Sequence, residues 1–191
     1  GLTLLYTDEG HEVVYLYLTR GEAGIDGVGR AEAGRIRTAE VEASCHALGT
    51  RPVFLGQIDG ATEINDHWSD VVCGTLAAEK PDIVITHWPI DTHRDHRAMA
   101  MLIYEAWLRL GKPFQLYYFE AMTEHQTQMF APTDYVDITG VATRKSAACL
   151  LHASQNPADG FYATHEQMHI QRGQQAGMPL AEAYIRHTER G

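Results

Sequence analysis

Residues 82–96 have the sequence DIVITHWPIDTHRDH, in which a short apolar run ends in a cluster of histidines and aspartates. The run Asp82–Thr86 is rich in β-branched residues, which is typical of a buried strand. Apolar residues then recur at helical spacing from Arg94 to Leu110, and Gly111 follows, as glycine often does after a last helical turn. A buried strand followed at once by a long helix predicts a parallel sheet that is covered by helices.

The same alternation of strands and helices runs along most of the chain. We predict further strands at 13–18, 52–55, 114–119 and 135–138, and helices before Gly10 and at 30–48, 66–78, 141–152, 162–172 and 180–187. The predicted fold class is therefore α/β and Rossmann-like, with a mostly parallel sheet and helices on both faces. Because no internal repeat, low-complexity tract or linker interrupts the pattern, residues 1–191 are predicted to form a single domain.

Charge and composition narrow the range of partners. The chain has 191 residues, with 15 lysines and arginines against 25 acidic residues and a formal net charge of −10. A general binder of nucleic-acid phosphates needs the opposite balance, so we predict a small-molecule partner and no nucleic acid. Every apolar run is far shorter than the roughly 20 residues of a membrane span, which predicts no membrane-spanning segment. Homo-oligomer formation stays open.

The cysteines and the first residue bear on localisation. The three cysteines are widely separated and odd in number, which indicates thiols rather than a disulfide framework. An acidic domain with unpaired cysteines favours the cytoplasm. Since Gly1 stands where an initiator methionine is expected, we also expect an upstream segment, which would include any targeting leader.

The first candidate site is the histidine cluster after the strand at 82–86. Ligands of parallel sheets bind beyond the carboxyl ends of the strands, where this cluster lies. His93 and His96 are three residues apart in the first helical turn and hence on one face, and Asp95 beside them is a candidate to orient an imidazole. The alternative is that Asp91 or Thr92 caps the helix and the histidines are solvated.

The second candidate is the segment His165-Glu166-Gln167-Met168-His169. It matches the His-Glu-x-x-His pattern of zinc peptidases, in which two histidines bind the metal and the glutamate is the general base. Glu182 or Glu189 would supply a third ligand. The alternative is a solvated helix face, and the predicted α/β architecture is foreign to that class of enzyme.

Several segments together resemble the LmbE-like or PIG-L family of zinc-dependent N-acetylglucosaminyl deacetylases. The similarity extends from about Leu4 to Gln155, and its most specific part is the His-x-Asp-His start of the long helix. The matching segments are Glu9–Val14, Leu18–Glu22, Arg37–Glu40 before Leu48-Gly49, Leu55–Gly60, Lys80–His87, His93–His96 and, more weakly, His152–Gln155.

The resemblance implies a metal-dependent hydrolase that removes an acetyl or other acyl group from an N-acetylglucosamine-type amino sugar or a related amide. It implies one Zn²⁺ per chain, or another divalent metal, with His96 as a ligand. His93 would be a catalytic acid or electrostatic stabiliser whose ring Asp95 holds. The residues expected near the substrate are Arg37, Asp59 and His87.

One signature of the family is missing from this chain. A His-Pro-Asp-Asp-Glu loop, which in the family supplies two further metal ligands and the general base, does not occur in it. We therefore expect the first strand and its metal-binding loop to lie upstream of Gly1. The alternative is a degenerate sugar-binding domain that catalyses nothing.

Overall fold

A computed structural model describes residues 1–122, 126–156 and 161–188 of the chain. The helices are α1 (Leu2–Asp8), α2 (Arg30–Leu48), α3 (Asp66–Glu79), α4 (Arg94–Arg109), α5 (Ala142–Leu150) and α6 (Phe161–Ala176). The strands are β1 (Val14–Tyr17), β2 (Arg51–Phe54), β3 (Ile83–His87), β4 (Gln115–Phe119), β5 (Asp134–Asp137) and β6 (Ala181–Arg186). Short 3₁₀ turns lie at Thr139–Val141 and Ala153–Gln155. None of the described helices combines the length and the apolar character that crossing a membrane requires.

The strands confirm the predicted α/β class and correct the predicted sheet. β1 pairs with β2 in parallel, and β3 pairs with β4 in parallel. The larger sheet has the order β3-β4-β6-β5, in which β6 runs antiparallel to β4. The sheet strands are thus partly parallel and partly antiparallel rather than mostly parallel.

The predicted helix at 180–187 is wrong, because this segment is strand β6. Its alanines and acidic and basic residues suit a helix, and over so short a segment periodicity does not separate the two states. In the structure Tyr184 and Arg186 align with Phe119 and Tyr117 of β4. Pairing with a distant strand therefore overrides the local preference.

The described chain forms two compact units. The first comprises Gly1–Asp59 and Tyr135–Glu182, and the second comprises Gly60–Asp134 and the residues from Ala183 onward. This division into compact units does not test the predicted single domain, which stays a prediction. The core of the first unit contains the buried side chains of Leu4, Ile138 and Val141, against which Leu48 and Leu180 pack.

The second unit is built around helix α4. Leu102, Ile103 and Trp107 on its inner face are buried, and so is Leu116 of β4. The Trp107 indole N–H donates to the Phe114 carbonyl at 3.1 Å, so burial of this large ring leaves no unpaired donor. This packing holds the first turn of α4 directly after β3, where the histidine cluster lies.

Candidate active site

Three histidine rings lie in contact at the junction of β3 and α4. His87 is the last residue of β3, and His93 and His96 begin α4. The ring of His96 stacks on His87 with centroids 3.9 Å apart and on His93 with centroids 4.6 Å apart. The predicted proximity of His93 and His96 is present, and the turn from residue 88 to 92 brings His87 to the same place.

A buried aspartate binds the middle ring of this cluster. The Asp91 side chain is 1% exposed, and its Oδ2 lies 3.3 Å from Nδ1 of His96. It accepts hydrogen bonds from the Thr127 hydroxyl at 3.2 Å and from the His93 backbone N–H at 2.7 Å. A carboxylate at one ring nitrogen holds the proton there, which leaves Nε2 of His96 with its lone pair. This is the arrangement found at histidines that bind metals.

A second side chain at Nδ1 of His96 comes from a loop. The side-chain amide of Gln126 lies 3.0 Å from Nδ1 of His96. With the proton of His96 on Nδ1, this amide must present its oxygen to the ring, because two donors cannot face each other. Gln126 is held by its own carbonyl, which accepts the Thr92 N–H at 2.9 Å, and the next residue, Thr127, forms an isolated antiparallel bridge with Asp91. The segments around Asp91 and Thr127 therefore support the His96 ring from one side.

His93 is the N-cap of α4, so the interpretation in which Asp91 or Thr92 caps the helix is wrong. Nδ1 of His93 accepts the Asp95 backbone N–H at 3.2 Å. In the neutral ring the proton consequently resides on Nε2, which makes His93 a donor at that atom. The residue is solvent-exposed, so a ligand can reach it.

Asp95 contacts His93 through its backbone, while its carboxylate binds a neighbouring loop. Oδ2 accepts the Gly60 N–H at 2.9 Å, and Oδ1 accepts the Thr62 hydroxyl at 2.8 Å. The carboxylate is buried, so these bonds offset its desolvation. The role of Asp95 in orienting His93 stays a prediction, for which the backbone hydrogen bond is the observed link.

Burial keeps the inner histidines neutral. It lowers the pKa of His87 far below the ordinary value, and repulsion from His96 and His93 lowers it further. Burial also lowers the pKa of His96, by more than the attraction of Asp91 raises it. Nδ1 of His87 is buried and has no hydrogen-bond partner among the described residues. Neutral imidazoles are the form that binds a metal or accepts a proton.

The cluster does not by itself form a complete zinc site. In the part of the chain that the structure describes, no three His, Cys, Asp or Glu side chains are grouped so as to hold a metal ion. His96 has the environment of a ligand, but zinc in proteins usually takes three or four protein ligands. These residues therefore supply only part of a zinc ligand set.

Arg37, which was predicted to lie near the substrate, is in the first unit, and its guanidinium makes few hydrogen bonds for a largely buried cation. Its side chain is 20% exposed, and its Nη1 lies 3.8 Å from Glu40 Oε2. Glu40 instead accepts the backbone N–H and the hydroxyl of Ser154, both at 2.7 Å. Within the described residues Nε and Nη1 of Arg37 have no hydrogen-bond acceptor, and burial lowers the pKa of the guanidinium. Buried donors normally find partners, so these two unsatisfied nitrogen atoms are unusual.

The predicted substrate residue Asp59 holds a loop of the same unit. Its carboxylate accepts the Thr19 hydroxyl at 3.3 Å and the Ala23 N–H at 2.9 Å, and its charge acts on Arg37. The structure thus brings Arg37 and Asp59 together in the first unit, and His87, His93, Asp95 and His96 together in the second.

The His-Glu-x-x-His segment lies on α6 in a different environment from that of a zinc peptidase. Nε2 of His169 lies 2.6 Å from the ammonium of Lys145, which also donates to Glu182 Oε1 at 2.5 Å. Glu166 is exposed, and Glu189 lies outside the described residues. A lysine ammonium at the nitrogen that zinc would bind argues against the peptidase interpretation.

Sequence reasoning misses the residues that support His96. It treats Asp91 only as a helix cap, and it does not single out Gln126 or Thr127. An aspartate in the turn between a strand and a histidine-bearing helix is a usable signal. Gln126 and Thr127 lie 30 or more residues along the chain from His96, and no motif marks them.

Comparison with known proteins identifies similar folds with different reactions. No curated protein matches the chain. The conserved protein TT1542 from Thermus thermophilus is 25% identical, with a TM-score of 0.83 over 100% of this chain and 88% of that chain. N,N'-diacetylchitobiose deacetylase from Pyrococcus horikoshii is 23% identical, with a TM-score of 0.84 over 97% of this chain and 76% of that one.

A third structure shows why the fold does not select the reaction. GalB, the 4-carboxy-2-hydroxymuconate hydratase from Pseudomonas putida KT2440, is 19% identical, with a TM-score of 0.79 over 100% of this chain and 90% of that chain. At these identities the likeness to the deacetylase and the hydratase shows the fold alone.

The family of this chain follows from the match of its sequence to a family model. The PIG-L family model, described as GlcNAc-PI de-N-acetylase, matches residues 1–107, which is more than half of the chain and includes the histidine cluster. This match confirms the resemblance found in the sequence. The chain belongs to the PIG-L family.

Proposed function

We propose that this protein is a hydrolase that removes an acetyl or other acyl group from the nitrogen of an N-acetylglucosamine-type sugar or a related amide, with dependence on a divalent metal, zinc foremost. The observation that carries the proposal is the ring of His96, whose Nδ1 lies against buried Asp91 and whose neighbour His93 offers a donor to solvent. It lies inside the segment that matches the family model. The substrate is a small molecule, and the location is the cytoplasm.

His93 is the residue that we assign to the reacting amide. Because Nδ1 accepts the Asp95 N–H, Nε2 of the neutral ring carries the proton. That N–H would donate to the amide carbonyl oxygen as negative charge develops there, and the ring would keep its proton and act as an electrostatic stabiliser. Asp95 acts as a positioning residue through its backbone N–H and through the loop that its carboxylate binds.

Metal dependence enters the proposal through His96 alone. Asp91 directs the proton of His96 to Nδ1, so Nε2 is available to a metal. The described residues do not complete a metal ligand set, so the dependence of activity on a metal has to be measured.

Arg37, Asp59 and His87 complete the proposal as substrate residues. Arg37 is the best supported of them, because two of its buried nitrogen atoms have no acceptor in the described part of the chain. Asp59 would act by holding the loop from Thr19 to Ala23, and His87 by packing against His96.

The test combines metal content with amide hydrolysis, using protein expressed from its own start codon. We would measure zinc per chain by elemental analysis and amine release from N-acetylglucosamine and its glycosides. His96→Ala should lose the metal, while His93→Ala should keep it and lose activity by about 10²- to 10⁴-fold. The matched control is His11→Ala, because the His11 side chain is 60% exposed.

Other outcomes would contradict the proposal. Loss of zinc in His169→Ala but not in His96→Ala, together with casein cleavage, would identify a peptidase. A wild-type protein that binds no metal and releases no amine from any acylated sugar would be a degenerate binding domain.

A further inference from the structure

Two consecutive peptide groups join Asp91 to His93, the N-cap of α4, and both are hydrogen-bonded at their N–H and at their carbonyl. The Thr92 N–H donates to the Gln126 carbonyl at 2.9 Å, and the His93 N–H donates to Asp91 Oδ1 at 2.7 Å. The carbonyls of Asp91 and Thr92 accept from Nη1 of Arg97, at 2.7 Å and 2.9 Å. One nitrogen atom of Arg97 therefore binds both carbonyls of this turn.

Arg97 reaches these carbonyls because of its place in α4. Side chains of an α-helix point toward its N-terminus, so a long side chain one turn into the helix returns to the residues before it. The His93 carbonyl accepts the Arg97 backbone N–H at 3.3 Å, as an N-cap carbonyl does. The carbonyls of residues 91 and 92 precede the N-cap, so the helix backbone supplies no donor for them. The rigid guanidinium of Arg97 supplies it.

The contacts of Arg97 differ from those of an arginine at the other end of the same helix. Arg109 pairs with three carboxylates at the surface, those of Asp66, Asp70 and Glu105. Arg97 is also exposed, but its guanidinium is directed to the backbone. Its contacts therefore fix a segment of chain rather than balance a surface charge.

The orientation of this turn determines where the Asp91 carboxylate lies. Oδ1 is bound to the His93 N–H, and Oδ2 lies 3.3 Å from Nδ1 of His96. A rotation of the second peptide group would carry Oδ1 with it and turn Oδ2 away from the ring. Without the guanidinium both carbonyls would turn to water, and each peptide group would keep one hydrogen bond instead of two.

We propose that Arg97 is a positioning residue for His96. Its guanidinium holds the turn from Asp91 to His93, so that the Asp91 carboxylate keeps the imidazole proton on Nδ1 and leaves Nε2 with its lone pair. The inference rests on the proposed function where it takes His96 as a metal ligand. The position of the proton is measurable without metal or substrate.

The test is ¹⁵N NMR of the imidazole nitrogens in metal-free protein expressed from its own start codon, with the His96 signals assigned by their loss in His96→Gln. Wild-type protein should carry the proton of His96 on Nδ1. Arg97→Leu keeps an apolar stem and removes the donors, so part of the population should carry the proton on Nε2. Zinc affinity, measured by competition with a chelator, should fall by about three- to tenfold, which is less than for the loss of a direct partner of the ligand.

Three further variants separate the two hydrogen bonds from charge and from general destabilisation. Arg97→Lys keeps a cation that can donate to both carbonyls, so it should recover most of the Nδ1 form and of the zinc affinity. Arg97→Gln is shorter and uncharged, and it should resemble Arg97→Leu if the leucine variant does not fold. Arg109→Gln removes a cation and three ion pairs from the same helix. It should keep the proton on Nδ1 and the wild-type zinc affinity even if it lowers the melting temperature.

Two results would overturn the inference. A proton on Nδ1 and wild-type zinc affinity in both Arg97→Leu and Arg97→Gln would leave Arg97 with a structural role only, whatever their melting temperatures. An equal shift of the proton in Arg109→Gln would make the charge of the helix responsible. If wild-type protein releases no amine from any acylated sugar, the proposed function fails, and the proton position in the Arg97 variants still decides the role of this residue.

Discussion

We expect the substitution Asp91→Asn to move the imidazole proton of His96 from Nδ1 to Nε2. Asp91 Oδ2 now faces both His96 Nδ1 and the Thr127 hydroxyl, and the carboxylate also accepts the His93 N–H. Asparagine keeps one carbonyl oxygen but replaces the other acceptor with an N–H₂ group, which is a donor. A donor facing Nδ1 requires Nδ1 to become the acceptor, and the proton then resides on Nε2.

The size of the effect of Asp91→Asn on stability and metal affinity follows from these three contacts. Exchanging hydrogen bonds to a buried charged group for neutral ones should lower the free energy of unfolding by about 1–3 kcal/mol. The fold should survive, because the Thr127 hydroxyl also accepts the Ala121 N–H at 2.9 Å and keeps that bond in the variant. With Nε2 protonated, His96 cannot bind a metal through it, so metal affinity and amide hydrolysis should fall by about 10- to 100-fold.

The assay is ¹⁵N NMR of the imidazole nitrogens, which reports the protonated atom independently of activity, together with urea denaturation and metal analysis. Asp70→Asn is the matched control, because the Asp70 side chain is 76% exposed and pairs with Arg109 at the surface. It should change the free energy of unfolding by less than about 0.5 kcal/mol. If His96 in Asp91→Asn still carries its proton on Nδ1 and keeps its metal, the proposed role of Asp91 is refuted.

Two further predictions concern stability. Burial, followed by repulsion from Lys145, lowers the pKa of His169 from 6.5 to about 3, so the folded state holds a neutral ring. The contribution of this neutral ring to the free energy of unfolding is complete above pH 6.5 and is lost as the pH falls toward 3, by up to about 1.4 kcal/mol per pH unit. His169→Gln should flatten this slope in urea denaturation. An unchanged slope would contradict the assignment. A Cβ at Gly173 would lie 2.6 Å from the Met178 carbonyl oxygen, whereas one at Gly74 in α3 meets nothing within 4 Å. Gly173→Ala should therefore lower the free energy of unfolding by about 1–3 kcal/mol and Gly74→Ala should raise it by about 0.5–1 kcal/mol, as melting curves would show; equal effects would disprove the packing argument.

Local sequence predicts most elements because helices and short turns depend on neighbours a few residues away. Gly49 and Gly111 are expected to end α2 and α4, and both adopt positive φ just beyond those helices. The apolar run at 82–86 and the helical spacing after it predict β3 and α4 within a residue or two. The prediction for segment 180–187 is wrong because its strand state depends on β4, which lies more than 60 residues away.

For the candidate site, the sequence by itself determined that two histidines share the first turn of a helix after a buried strand, because a spacing of three residues places them on one helical face. It also determined the family, since residues 1–107 carry the matching motifs. Only the tertiary structure decided that Asp91, Gln126 and Thr127 surround His96, and that Lys145 lies against His169 from 24 residues away. The physical reason is that a side chain's hydrogen-bond partner depends on the path of the whole chain, while backbone conformation depends mainly on the residues next to it.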